Sequence, residues 1–188
     1  MHWMEIEAQL LAEEPKPLEL LFGVDRPGVY AWWDLTGALA GFVADDFPPV
    51  DYGKPVYVGV SQVNVGQRFR KYHRRRVGRS SPRFSLAALL FEELELLPGA
   101  LILNGKTKLH PAAERRLTEW MNHHLSFTCV PLNTASEAAI AEEKIIRDLL
   151  SPLNIEFADG GPYQDQMCAL REALRCAIRA QGADYPRP

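Results

Sequence analysis

The sequence predicts one α/β domain of the α+β kind, a small three-stranded, mainly antiparallel sheet flanked by helices, and three observations carry that prediction. Two short runs of β-branched and aromatic residues, Val29–Trp33 and Val56–Val60, follow turn signals, and a third lies at Phe127–Val130. Between and after them stand helical stretches opened by recognisable caps. The chain is 188 residues long with 47% apolar content, enough for one sizeable core.

Ile6–Leu11 has weak helical periodicity and stops at Pro15 and Pro17, so residues 1–24 read as an N-terminal flank. Arg26-Pro27-Gly28 turns the chain into the first strand. Residues 35–55 are rich in Gly, Pro and Asp and read as a long excursion joining two adjacent antiparallel strands. Asn64 is placed to cap a helix running to about Arg76, and Ser81 with Pro82 to open another that ends before Pro98. An irregular stretch surrounds Asn104-Gly105. Pro111 opens a helix through Leu125, with Leu117, Trp120 and Met121 on one face. Thr134 and Glu137 stand in capping-box relation ahead of a helix that lasts to Ser151-Pro152. A C-terminal helix, roughly Tyr163–Ala180, completes the chain. The expected division is a core domain over 25–158, with insertions at about 35–55 and 81–125, and a helix and tail over 159–188, all in one compact unit.

Charge is unevenly spread. The net charge is −3, yet no Asp or Glu occurs between Tyr52 and Phe91, where Lys54, Arg68, Arg70, Lys71, Arg74, Arg75, Arg76, Arg79 and Arg83 supply nine cations. The other 12 Lys and Arg face all 24 acids. A basic stripe on an acidic body suits a polyanion, and nucleic acid is the expected partner. The alternative is a solvated helix face. Cys129, Cys168 and Cys176 form neither an even framework nor a Cys-x-x-Cys pair, which points to a reducing cytoplasm. No apolar run approaches the ~20 residues that span a bilayer, so no membrane role is expected.

One carboxylate faces the wrong way. Winding residues 137–150 at about 100° per residue puts Glu142 amid Ala138, Ala139, Ile145, Ile146 and Leu149, while the neighbouring charged residues point elsewhere. A carboxylate in that position needs a cation, a metal or a raised pKa. The same exercise on the helix after Asn64 groups Val65, Phe69 and Tyr72, with Arg68 adjacent, and a guanidinium beside a phenol suits a phosphate.

Gly28-Val29-Tyr30 and Tyr57-Val58-Gly59 are followed by Ser61, by Arg68 nine residues beyond Gly59, by Tyr72 and His73, and by Glu142 with Ile145, Ile146, Pro152 and Asn154 behind it. That succession, over about 27–154, resembles the GIY-YIG nuclease superfamily, with Val for each Ile and longer gaps than the family has. The resemblance implies a metal-dependent endonuclease. Glu142 would hold one divalent ion, magnesium or alternatively manganese. Tyr57 would act as base or orient the water, and Tyr30 would assist. Arg68 would stabilise the transition state, Tyr72 or His73 would hold the phosphate or relay a proton, and Asn154 would brace the site. Arg70, Lys71, Arg74, Arg75, Arg76, Arg79 and Arg83 would track the backbone of nucleic acid, DNA ahead of RNA. The competing readings are a binding module that has lost catalysis and a regulatory protein whose stripe binds an acidic partner.

Overall fold

In a computed structural model, residues 1–42, 47–74 and 76–184 are described. Arg75, one of the expected backbone contacts, lies outside them. The chain opens with α1, Trp3–Ala12, capped by His2 and Glu5, and passes through a two-residue strand β1, Lys16–Pro17, into a 3-10 turn over Leu18–Gly23. β2, Gly28–Asp34, is buried along its whole length. The excursion after it is anchored by buried Asp34, whose carboxylate accepts from the backbone amides of Thr36, Ala38 and Leu39. β3, Tyr57–Ser61, returns antiparallel to β2.

α2, Val65–Arg68, starts at Asn64, whose side chain accepts from Gln67 N–H, and runs directly into a π turn over Phe69–His73. α3, Ser81–Leu89, is capped by Ser80 rather than Ser81, which puts Pro82 in the first turn and the cap hydroxyl one residue earlier than the sequence suggested. A hairpin of β4, Leu101–Leu103, and β5, Lys106–Lys108, stands where the sequence showed only an irregular stretch. α4, Pro111–His124, leads into β6, Leu125–Pro131. α5, Ala135–Leu149, begins at its Thr134 cap and stops at Leu150 in the left-handed conformation. α6, Gln164–Asp184, follows. Among the described residues no helix is long and apolar enough to cross a membrane, and the three cysteines are free.

The main sheet has the order β1-β6-β2-β3 and is antiparallel throughout, the expected three strands with β1 added at the outer edge of β6. Alternation assigns the two faces. Val29, Ala31, Trp33, Val58, Val60 and Val130 pack under α1 and α5, against Ile6, Leu10, Ala138, Ala141, Ile145 and Ile146. Tyr30, Trp32, Tyr57 and Phe127 face the other way, into the larger cluster that takes in α3, α4 and α6. β3 is an edge strand, and its exposed backbone is closed by the segment after α5. Leu153 N–H donates to Val56 O, while the Asn154 amide accepts from Val58 N–H at 2.8 Å and donates to Val58 O at 2.9 Å. Asn154 thus stands in for a neighbouring strand.

Where α1 crosses α5, the carboxyls of Glu7 and Asp148 share a hydrogen bond. Burial first, then that bond and the Asp148 charge, push Glu7 up to about 7. A carboxyl raised in the folded state stabilises fully below its unfolded value, and that contribution is lost as pH rises through the folded one. Replacing Glu7 with glutamine is therefore expected to raise the melting temperature at pH 8 and leave it unchanged near pH 4. Solvent screening limits the gain to about 2 °C. Thermal melts at the two pH values check it, and equal shifts at both would count against the shared proton.

Candidate active site

Five segments bring their polar groups to the β3 edge of the sheet. β2 supplies Tyr30 and β3 supplies Tyr57, diagonal neighbours on one face, since Tyr30 stands opposite Gly59 and Trp32 opposite Tyr57. α2 supplies Arg68, the π turn His73, and α5 with the loop behind it Glu142, Asn154 and Glu156.

The π turn decides which side chain follows Arg68 inward. Arg74 N–H donates to Phe69 O at 3.1 Å, an i to i+5 bond that inserts one residue into the turn. His73 is carried into the core, 1% exposed, and Tyr72 is turned toward α6. The pairing of Tyr72 with Arg68 expected from a regular helix is thus corrected. The Tyr30 hydroxyl lies 2.6 Å from His73 Nε2, and His73 Nδ1 lies 2.7 Å from Ser80 Oγ. Arg68 Nε donates to the Tyr30 oxygen at 3.3 Å. A neutral His73 ring carries one donor and one acceptor, so it accepts at one of these two contacts and donates at the other. Burial, then the Arg68 and Arg83 charges, do hold His73 well below its ordinary pKa.

The remaining shifts share a cause. Burial pushes Tyr30 up to about 12 even though Arg68 pulls the other way, and holds Tyr57 well above its ordinary value. Burial works against the Arg68 cation, but Tyr30, Tyr57 and Glu142 more than compensate and raise its pKa. Glu142 is half-buried and rises to about 7. Burial is the main cause and Glu156 adds to it, while Arg68 and the Val60 backbone amide oppose. Glu142 is thus half-buried within range of the Arg68 charge, and is not enclosed as the apolar residues of α5 are. Glu156, two residues beyond Asn154, was missed by the sequence reading, although a carboxylate that close to the bracing residue was visible.

Gly59 keeps the tyrosines where they are. A Cβ on it would lie 2.8 Å from both the Tyr30 and Tyr57 hydroxyl oxygens and 2.7 Å from a Tyr57 ring carbon. Gly59→Ala must displace one phenol. We expect a loss of about 1–3 kcal/mol in stability from overpacking and a fall in any cleavage rate of about 10²-fold from misplacement on the scale of an ångström. Urea unfolding and single-turnover kinetics test this, and wild-type kinetics in the variant would show that the phenol positions do not matter.

Of the expected backbone contacts, Arg70, Lys71, Arg74, Arg76 and Arg79 are exposed. Arg70 donates to Phe22 O at 2.8 Å, and both Arg70 and Arg74 lie over the Phe22 ring. Arg83 contradicts the expectation. It is fully buried, with Nε and Nη2 on the Glu114 carboxylate at 3.0 and 2.8 Å and Nη1 on the His73 carbonyl at 3.1 Å. α3 is enclosed from Pro82 to Ala88, so a cation in its first turn has no route to a ligand.

Among the described residues no three His, Cys, Asp or Glu side chains converge as a metal cage. One carboxylate with a second nearby is still a sufficient protein contribution for magnesium, which keeps most of its own water. The repulsion between Glu142 and Glu156 and the elevated pKa of Glu142 are what a divalent cation would relieve. The donor set fits.

No curated protein and no solved structure matches the chain. A family model described as the GIY-YIG catalytic domain matches residues 28–173, from the first residue of β2 into α6. It supports nuclease activity in general.

Proposed function

The chain belongs to the GIY-YIG catalytic-domain family, and from that premise we propose that it is a metal-dependent endonuclease hydrolysing phosphodiester bonds of nucleic acid, DNA ahead of RNA. The observation that carries the reading is the meeting of Glu142, Arg68, Tyr57 and the Tyr30–His73 pair at one strand edge. Glu142 would hold the ion, magnesium or manganese, with Glu156 beside it. When bound, the ion supplies Lewis-acid polarisation of the scissile phosphate.

The protein's own groups do the rest. Arg68 has Nε committed to Tyr30, which aims its Nη nitrogens at a phosphate oxygen and at the charge that builds there during displacement. Tyr57, raised by burial, is too weak an acid to serve as a phenolate base near neutrality on its own, so it orients the attacking water. His73, neutral and locked by Ser80, fixes Tyr30 and through it Arg68. Tyr72 lines the cleft beside Glu156, and Asn154 holds β3 in place.

The test is cleavage of labelled single-stranded, double-stranded and branched DNA and of RNA, with magnesium, manganese or chelator, comparing wild type with Glu142→Ala. Metal-dependent cutting that disappears in the variant supports the reading. No cutting by either protein, with salt-sensitive binding unchanged, would sink it and leave a non-catalytic binding module.

A further inference from the structure

Two clefts flank the β4–β5 hairpin, and both are lined by cations that the basic stripe in the sequence does not contain. The larger, about 1110 Å³, runs between the hairpin and α4, where Lys106, Lys108 and Arg115 face Arg74, Arg76 and Arg79. Its acids are Glu114, already bonded to Arg83, and Glu119. The smaller, about 610 Å³, runs between the hairpin and α6 and adds Arg171 and Arg175. The two share Gly78, Arg79, Lys106 and Thr107, so they adjoin where the hairpin meets the Val77–Arg79 turn and make two arms of one basic trough. Its smaller end reaches Glu156 and Tyr72, beside the Glu142 centre.

The trough is built, not incidental. Arg171 and Arg175 stack side by side over Phe84, their guanidinium carbons 4.6 and 4.7 Å from the ring centre. Arg175 leans on Glu172, while Arg171 donates to Ser81 Oγ and is held by no carboxylate there. Burial, then the neighbouring Arg175 charge, lowers the Arg171 pKa. Two like charges fixed together on one ring are relieved by an anion. The floor is rigid as well, since a Cβ on Gly78 would collide with the Thr107 carbonyl, so the Val77–Arg79 turn and the hairpin are locked against each other. No aromatic ring lines the larger cleft among the described residues. Bases have nothing to stack on there, and what the lining offers is charge for phosphates.

We propose that this trough, made by the hairpin and α6 together with Arg76 and Arg79, is a phosphate-backbone track that holds nucleic acid beyond the bond at Glu142, without reading sequence. The inference rests on the nucleic-acid reading above and deepens it. The substrate is longer than the cleaved step and is gripped through an insertion that the polarised stretch of sequence did not announce.

The test is anisotropy with fluorescein-labelled DNA of mixed sequence, about 30 nucleotides, single-stranded in one arm and duplex in the other, with chelator present so that nothing is cut. Lys106→Glu/Lys108→Glu alters exposed hairpin residues, and Arg171→Glu/Arg175→Glu the α6 end. Each pair is expected to weaken binding at least about tenfold and to flatten the salt dependence by about two phosphate contacts, while Lys16→Glu, on β1 at the opposite edge of the sheet, changes it far less. Melting temperatures within about 3 °C of wild type would show that the variants fold. Unchanged affinity in both pairs, a loss as large for Lys16→Glu as for the pairs, or no binding by wild type would overturn the track. If wild type binds through the trough but cuts nothing with metal, the nuclease reading fails and the track stands. Cutting with trough variants that bind normally gives the reverse.

Discussion

Glu142→Gln is expected to leave no detectable metal-dependent cleavage and, in the same protein, to raise the melting temperature in chelator at pH 8. The two effects come from one cause. The folded environment pushes this carboxyl from its ordinary 4.5 up to about 7, chiefly by burial, with Glu156 adding to it and Arg68 and the Val60 amide only partly offsetting it. Because the folded value is the higher, the folded state holds the proton more tightly, so the contribution is fully present below about 4.5 and is lost as pH rises through about 7. Above that, the ionised group costs on the order of 3 kcal/mol. A neutral amide of the same shape avoids much of this, and the gain should vanish toward pH 4. Adding magnesium should stabilise wild type and leave the variant where it was, since only a folded state with the carboxylate gains from the ion. Thermal melts at pH 4 and 8, with and without magnesium, check this without reference to activity. A variant less stable than wild type at pH 8 in chelator would mean that the carboxylate is a structural partner of Arg68 and not a strained ligand.

How much of this was legible in the sequence depends on how local each feature is. The strands at Val29 and Val58 and the Asn64 and Thr134 caps follow from alternation and cap chemistry, and the structure has them. Asn154 could be matched to a motif, but its reason, a side-chain amide closing the Val58 edge, is a contact across 96 residues that no local pattern holds. The choice between Tyr72 and His73 was lost for a different reason. A regular helix carries Tyr72 inward, and one inserted residue in the π turn reverses that, with no sequence signature in Phe69–His73 to announce it. The β4–β5 hairpin was invisible because its strands are three residues each and one of them is Lys-Thr-Lys. Charge counting along the chain located a basic stretch but could not say which cations face a ligand. Arg70 lies over Phe22, Arg74 over Phe22 and at the rim of the trough, Arg76 and Arg79 in the trough, and Arg83 inside.

Arg83→Met should cost about 3–5 kcal/mol, lowering the melting temperature by roughly 10 °C, because it breaks a buried ion pair and strands its partner. Arg83 is 0% exposed, and its guanidinium spends its hydrogens on the Glu114 carboxylate and carbonyl, the His73 carbonyl and the Thr118 hydroxyl. Glu114 also accepts from Val77 N–H, so the pair ties α3, α4 and the turn before α3 into one joint. That joint supports both functional regions. Through the His73 carbonyl it holds the residue whose ring meets Tyr30, and through Val77 it holds the floor of the trough. Removing both charges, as in Arg83→Met/Glu114→Leu, is expected to recover much of the loss, since an apolar pair of similar size leaves no stranded carboxylate. Partial recovery would measure the Val77 amide that Glu114 can no longer accept from. Urea unfolding of the two single variants and the double closes the cycle. If Arg83→Met instead melts with wild type and binds nucleic acid less tightly with a shallower salt dependence, the arginine faces a ligand in solution and the buried joint is wrong.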